Sequence, residues 1–142
     1  MLELASAQAA NSSSLVTAEA IAEAQQLPTK FLEGILRQLR MGGLVESHRG
    51  AEGGYRLARP ATSISVADVM RVLDGPLAEV RGLKPEDTAY RGASENLRDV
   101  WVGVRASMRR VLERVTLADL LLGKLPRDVQ RMLDDPDAWV RR

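Results

Sequence analysis

Five of the chain's eleven glycines fall between residues 42 and 54, as Gly42, Gly43, Gly50, Gly53 and Gly54. No long helix or strand runs through such a cluster, because each glycine adds backbone freedom that an ordered element has to lose. Gly42-Gly43 therefore predicts a positive-φ stop for whatever helix precedes it. Leu44-Val45-Glu46-Ser47 and Tyr55-Arg56-Leu57 read as two short strands. They are joined by Arg49-Gly50-Ala51-Glu52-Gly53-Gly54, so the pair is a small hairpin with a flexible tip.

Helices surround the hairpin. Residues 2–9 are good helix formers that begin without a cap. Thr17 caps an alanine-rich helix through about Gln25, with Ile21 and Ala24 or Gln25 at inward spacing. Leu27-Pro28-Thr29 opens a third helix to Met41, since a proline at a helix start loses only an N–H that is unpaired there anyway. Phe31, Leu32, Ile35, Leu36 and Leu39 form its predicted inner face; Lys30, Glu33, Gly34, Arg37 and Arg40 its outer one. Ser65 and Asp68 make a capping box for a fourth helix ending near Gly75-Pro76. Residues 81–93 read as a loop between two functional halves. Ser94 then opens the longest helix, whose Leu97, Val100, Trp101, Val104, Met108, Val111, Leu112 and Val115 recur at three-and-four spacing. A face that wide beside a small domain is most economically buried by a second copy, with Arg98, Arg105 and Arg109 solvated on the opposite side. Thr116 and Asp119 cap a helix from Leu117 to Leu122, and residues 126–142 form a short helix and frayed tail. The expected division is 1–76, a linker at 77–93, a dimerisation unit at 94–125, and the tail.

Composition narrows the function. The 142 residues suffice for one compact domain or a small domain with an added helical element. The absence of cysteine rules out disulfides, thiolate-held clusters and a cysteine nucleophile, and the single histidine, His48, leaves no metal site. No cofactor is expected. No nucleophile–base pair or phosphate loop of the Walker type is present, so an enzyme is not expected. Asp134-Asp135 lie in the tail, away from any pocket that the sequence suggests. Five aromatic residues are too few for a single-strand stacking platform. No apolar run reaches membrane-spanning length and no secretory signal opens the chain, so it is expected to be cytoplasmic and not to engage a membrane. Twenty basic and nineteen acidic residues nearly cancel, so any nucleic-acid affinity has to come from local clustering. Residues 28–60 hold six basic and three acidic residues, whereas residues 1–27 hold three acidic and none basic.

Helix, turn, helix with a basic outer face, then a glycine-tipped hairpin is the order of a winged helix-turn-helix. Three segments are more specific: Leu27-Pro28-Thr29-Lys30-Phe31-Leu32-Glu33, Leu39-Arg40-Met41-Gly42-Gly43-Leu44-Val45, and Arg49-Gly50-Ala51-Glu52-Gly53-Gly54-Tyr55-Arg56-Leu57-Ala58. With Ile64-Ser65-Val66-Ala67-Asp68-Val69 and Thr116-Leu117-Ala118-Asp119-Leu120, they resemble the bacterial transcriptional regulator family containing IscR, NsrR and CymR. The resemblance spans most of residues 1–122. It implies a mainly α-helical fold, a homodimer joined through the long helix, and a double-stranded DNA partner. Pro28 to Met41 would be the recognition helix and Arg49 to Tyr55 the wing. The candidate DNA-binding residues are thus Pro28, Thr29, Lys30, Glu33, Gly34, Arg37, Arg40, Arg49, Gly50, Tyr55 and Arg56.

The chain departs from the family pattern in four places. It lacks the cysteines that cluster-holding members carry in the segment matching residues 81–96. It opens in the part matching the middle of the first helix, which reads as a shortened N-terminus. Glu52 stands in the wing where glycine is frequent, and Gln26 replaces a glycine common in the helix-turn-helix turn. Several roles stay open on sequence alone. Glu33 suits either acceptance from a cytosine amino group or an intrahelical pair with Arg37. Gly34 serves either close backbone approach to DNA or a gap in packing. The leading reading is a dimeric DNA-binding regulator, a repressor, with a small molecule or protein as effector. Its rival is a dimeric protein- or metabolite-binding module whose grip on DNA is weakened by the short first helix.

Overall fold

The computed structural model describes residues 1–50 and 52–141; Ala51 of the hairpin tip and Arg142 of the tail lie outside it. Helix α1 spans Leu2–Ala10, α2 Ala18–Gln25 and α3 Thr29–Met41. Strands β1, Val45–His48, and β2, Gly54–Leu57, follow, then α4, Val66–Leu73. Helix α5 is Leu97–Leu112, α6 Leu117–Leu122 and α7 Arg127–Leu133. Among the described residues no helix is long and apolar enough to cross a membrane.

One core joins α1, α2, α3, the hairpin and α6. Leu4, Ile21, Leu32, Leu36, Leu39, Leu44, Val45, Leu57, Ile64 and Leu117 are buried together in it. The inward stripe of α3 is Leu32, Leu36 and Leu39, with Ile35 half-buried beside them. Phe31 does not join this face. It is one residue, about 100° of helical turn, ahead of Leu32, and 59% of its surface is exposed. In α2 the buried residues are Ala18, Ile21 and Ala22, while Ala24 and Gln25 face outward and the Gln25 amide donates to Glu3 Oε1 at 2.8 Å.

The strands pair antiparallel, with Val45 opposite Leu57 and Ser47 opposite Tyr55. Val16 adds a third short rung: its N–H donates to the Tyr55 carbonyl at 2.9 Å, and the Tyr55 N–H donates back at 2.8 Å. Two glycines are fixed by this packing rather than by conformation. A Cβ on Gly54 would stand 2.9 Å from the Val16 carbonyl oxygen, and one on Gly42 would stand 2.4 Å from a Val72 methyl. Only Gly43 of the pair at the end of α3 has positive φ, at +69°; Gly42 has φ −79° and is there for clearance.

The capping boxes at Ser65 and Thr116 form, and they face each other. Ser65 Oγ accepts from the Asp68 N–H while Asp68 Oδ2 accepts from the Ser65 N–H, both at 3.1 Å. Thr116 and Asp119 repeat the arrangement. Val66 N–H then donates to the Val115 carbonyl, and Leu117 N–H to that of Ile64, both at 2.9 Å. This double bridge clamps the start of α6 to the start of α4. Helix α6 also packs on α1 and on the turn at Ala61–Ser63. The boundary expected at residue 93 therefore does not separate the two parts, since α6 shares the N-terminal core.

Further departures lie between α4 and the C-terminus. Residues 92–94 form a separate turn of 3-10 helix, so α5 begins at Leu97, three residues after the expected Ser94. Residues 77–93 are more than a linker: Leu77 and Pro85 are buried, and the turn at Pro85–Asp87 packs on α5. Arg105 is not solvated; its side chain is 19% exposed and lies 2.5 Å from Glu86. Arg109 is paired as well, with Glu113 at 3.0 Å. The tail is tied down by Arg114–Asp128 at 2.7 Å, by the buried Val129, and by the Trp139 indole N–H on the Leu133 carbonyl.

Two stability predictions follow from the caps. Gln26 ends α2 in the left-handed region at φ 53°, ψ 41°, so Gln26→Gly should raise the unfolding free energy by about 1 kcal/mol in urea titration. Thr116→Ala should lower it by about 1 kcal/mol. The Asp119 carboxyl is held below its ordinary range, first by the Thr116 hydroxyl and then by the Thr116 N–H. That contribution is present above the ordinary carboxylate pKa and disappears as pH falls through the lowered value. Thr116→Ala should accordingly show a shallower acid limb than the parent in a stability–pH profile.

Candidate nucleic-acid interface

Helix α3 and the hairpin meet at a groove. Glu33, Arg37 and Arg40 line it from α3; Ser47, His48, Arg49, Gly54 and Tyr55 line it from the hairpin side. The burial of Leu32, Leu36 and Leu39 turns Lys30, Glu33, Gly34, Arg37 and Arg40 to solvent. Val45 and Leu57, opposite each other and buried, anchor the base of the hairpin, while Arg49 and Gly50 remain exposed near its tip. Gly50 has φ +116°, a conformation that favours glycine.

The charges on this surface are uncommitted. Among the described residues Lys30, Arg37 and Arg49 form no ion pair, and Arg40 reaches only Ser47 Oγ at 3.5 Å, the outer limit of a hydrogen bond. Glu33 and Arg37 are not within pairing distance, so the intrahelical pair does not account for Glu33. A Cβ on Gly34 would meet nothing within 4 Å, which removes the packing gap as a reason for that glycine.

Not every candidate sits in the groove. Arg56 is pinned to Glu46, its cross-strand neighbour, by contacts of 2.9 Å and 2.8 Å, and is half-buried. Pro28 and Thr29 mark the start of α3, Pro28 exposed and Thr29 half-buried, outside the groove lining. Ser47 and His48 were not singled out for this surface by sequence, because a four-residue strand is too short for alternation to assign its faces. Phe31, whose spacing predicts the core, is instead exposed beside Gly34.

Helix α5 contributes no buried residue to the protomer. Leu97, Val100 and Val104 are exposed, and Trp101, Met108, Val111 and Leu112 are half-buried. Val115 does not belong to this face: it lies beyond the end of α5, is 5% exposed, and gives its carbonyl to the α4–α6 bridge.

A helix offering free cations next to a glycine-tipped hairpin is the layout of a winged helix-turn-helix regulator of transcription. A model of the Rrf2 family, described as an iron-dependent transcriptional regulator, matches residues 1–122, and the chain belongs to that family. A Mycobacterium tuberculosis protein that bears the name of an HTH-type transcriptional regulator is 51% identical over 135 residues, which are 95% of this chain and 82% of that protein. Among solved structures, CymR, the global cysteine regulator of Bacillus subtilis, superposes with a TM-score of 0.68 at 32% identity, over 84% of each chain. IscR of T. potens gives 0.65 at 33% identity, over 99% of this chain and 83% of that one.

The iron in the family's description finds no fit in these residues. The sequence has no cysteine and one histidine, and among the described residues no three His, Cys, Asp or Glu side chains converge as a metal-holding group.

Because Gly34 stands in open space within α3, Gly34→Ala should stabilise the fold by about 1 kcal/mol, measured as a shift of the denaturation midpoint.

Proposed function

We propose that this chain is a dimeric, sequence-specific DNA-binding repressor that works in the cytoplasm without an iron–sulfur cluster and catalyses no reaction. The observation that carries the DNA reading is that Arg37 and Arg49, in the lining of one groove, are unpaired and Arg40 is almost as free, with Lys30 exposed and unpaired on the same helix outside that lining. A structural role for these charges would show as partners, and Arg56 and Arg114 have such partners.

The mechanism follows from the geometry of B-form DNA. The major groove admits a helix, and α3 enters it with Lys30, Glu33 and Arg37 toward base edges and phosphates. Gly34, with no side chain to hold the helix away, lets its backbone approach the duplex. Arg49 beside the glycine tip reaches phosphate or the minor groove. A repressor then acts by occupying DNA that polymerase would otherwise use.

Dimerisation is supported by α5, whose Leu97, Val100 and Val104 are exposed at 39–57% on one long helix. A second copy covering that face aligns two recognition helices on successive turns of the duplex. The iron-free reading rests on the donor set described above.

Titration of duplex DNA against salt tests the core of this reading. Log affinity should fall with log salt at a slope close to the number of phosphates neutralised. Lys30→Ala should weaken all sequences alike and flatten that slope by about 2, one phosphate contact per subunit of the dimer. Arg37→Ala or Glu33→Ala should instead change the preferred site, at a cost of about 1–3 kcal/mol on that site. Gly34→Ala, though more stable, should bind DNA more weakly. A flat salt response overturns the reading. Val100→Asp with Val104→Asp should yield monomers in sedimentation, and unchanged dimers would remove α5 from the interface.

A further inference from the structure

A second cationic site lies away from the α3 groove. Arg71 of α4, Lys84, and Arg105 and Arg109 of α5 line a cleft of about 350 Å³, with Pro76 and the buried Leu77 as its apolar wall. That volume lies in the range of small-ligand sites.

The charges in the cleft do not balance. Glu113 serves both Arg71 and Arg109, and Glu86 serves Arg105. Asp68, 3.9 Å from Arg71, is also shared with Arg59 at 3.7 Å. Lys84 forms no ion pair among the described residues. Four cations thus face Glu86, Glu113 and the share of Asp68 that Arg59 does not take, which leaves the cleft with one to two positive charges uncompensated beside an apolar wall. Both carboxyls sit below their ordinary range. For Glu86 the leading cause is the hydrogen bond from Arg105; for Glu113 it is that from Arg71, followed by that from Arg109. Each is already fully ionised at neutral pH, so neither can relieve the surplus.

Position gives the cleft a mechanical meaning. Arg71 belongs to the helix-turn-helix unit, Arg105 and Arg109 to α5, and Lys84 to the segment between them. The Arg71–Glu113 pair already joins α4 to the end of α5 there. Guanidinium groups bind carboxylate and phosphate oxygens in paired hydrogen bonds, so a doubly charged ligand can hold both elements at once.

We propose that this cleft binds a small organic dianion, a dicarboxylate or a phosphate monoester, and that the bound ligand couples the helix-turn-helix unit to α5 and so changes DNA affinity. The coupling rests on the DNA-binding reading above; the binding site does not. A ligand shifts DNA affinity only as far as it discriminates between the two arrangements, which for such couplings is about 5- to 150-fold.

Trp101 lies one turn before Arg105 on the same side of α5 and serves as a reporter. In a Trp139→Phe background of the full chain, its fluorescence is titrated with succinate and with glycerol 3-phosphate. Acetate at equal ionic strength is the singly charged control, and calorimetry repeats the titrations on the unsubstituted protein. One or both dianions should saturate, which also tells a dicarboxylate source from a phosphate one, while acetate gives no response. Lys84→Gln should weaken binding at least about fivefold and Lys84→Glu should abolish it, both in folded protein because Lys84 is exposed and unpaired. Lys124→Gln, outside the cleft, should leave binding unchanged. If neither dianion saturates below about 10 mM, or Lys84→Glu binds as the parent does, the site is overturned.

Fluorescence anisotropy with labelled duplex DNA reads the coupling. The dianion should shift DNA affinity severalfold in the parent and not in Lys84→Glu. Dianion binding with unchanged DNA affinity overturns the coupling alone. Failure to bind DNA with or without ligand overturns the DNA-binding reading and the coupling together, and leaves the site standing on its own titration.

Discussion

The double bridge between Ile64–Val66 and Val115–Leu117 is the contact on which the arrangement of the molecule depends. Two helix starts are brought face to face, each completed by its own capping box, so that the backbone groups left unpaired at a helix N-terminus are satisfied in a buried setting. Because α6 is fixed there, the end of α5 is fixed as well, and Glu113 comes within reach of Arg71. The long helix thus leaves the protomer from a defined point, although none of its own residues is buried.

What the sequence revealed was governed by local physics. The caps at Thr17, Ser65 and Thr116 were legible because a side chain and the N–H three residues on are close in sequence. The α3 stripe and the glycine-tipped hairpin were legible by period and by turn chemistry. Features that depend on distant approach were not. Gly42 looked like a positive-φ stop, yet it is Val72, thirty residues away, that requires it to be small. Val16 gave no sign of joining the hairpin, since one residue has no period. Phe31 misled because apolarity predicts burial on average, and a residue one step off a stripe sits at its edge.

The site followed the same division. Lys30, Glu33, Arg37 and Arg40 were readable as one outward face of a helix. Sequence did not tell which arginines are free and which are committed, because that depends on partners in other elements. Arg56 and Arg105, equally basic in the sequence, are held by Glu46 and Glu86. The cleft at Arg71, Lys84, Arg105 and Arg109 gathers residues from three separate elements, and no spacing rule draws them together. The apolar stripe of α5 was legible by its three-and-four recurrence, but the same recurrence carried on into Val115, where the helix has ended and the chain has turned inward.

The rung that Val16 adds to the hairpin bears on what the groove can accept. With Tyr55 held on one side by Ser47 and on the other by Val16, the base of the wing is fastened to the segment leading into α2, and α3 follows that helix directly. Helix α3 and the base of the wing are therefore fixed in their spacing, and on the DNA-binding reading proposed above a duplex that takes α3 into its major groove has to bring its backbone to a wing held in place. Sequences that bend or narrow easily would pay less strain than stiff ones, so selectivity would extend to base pairs that no side chain touches.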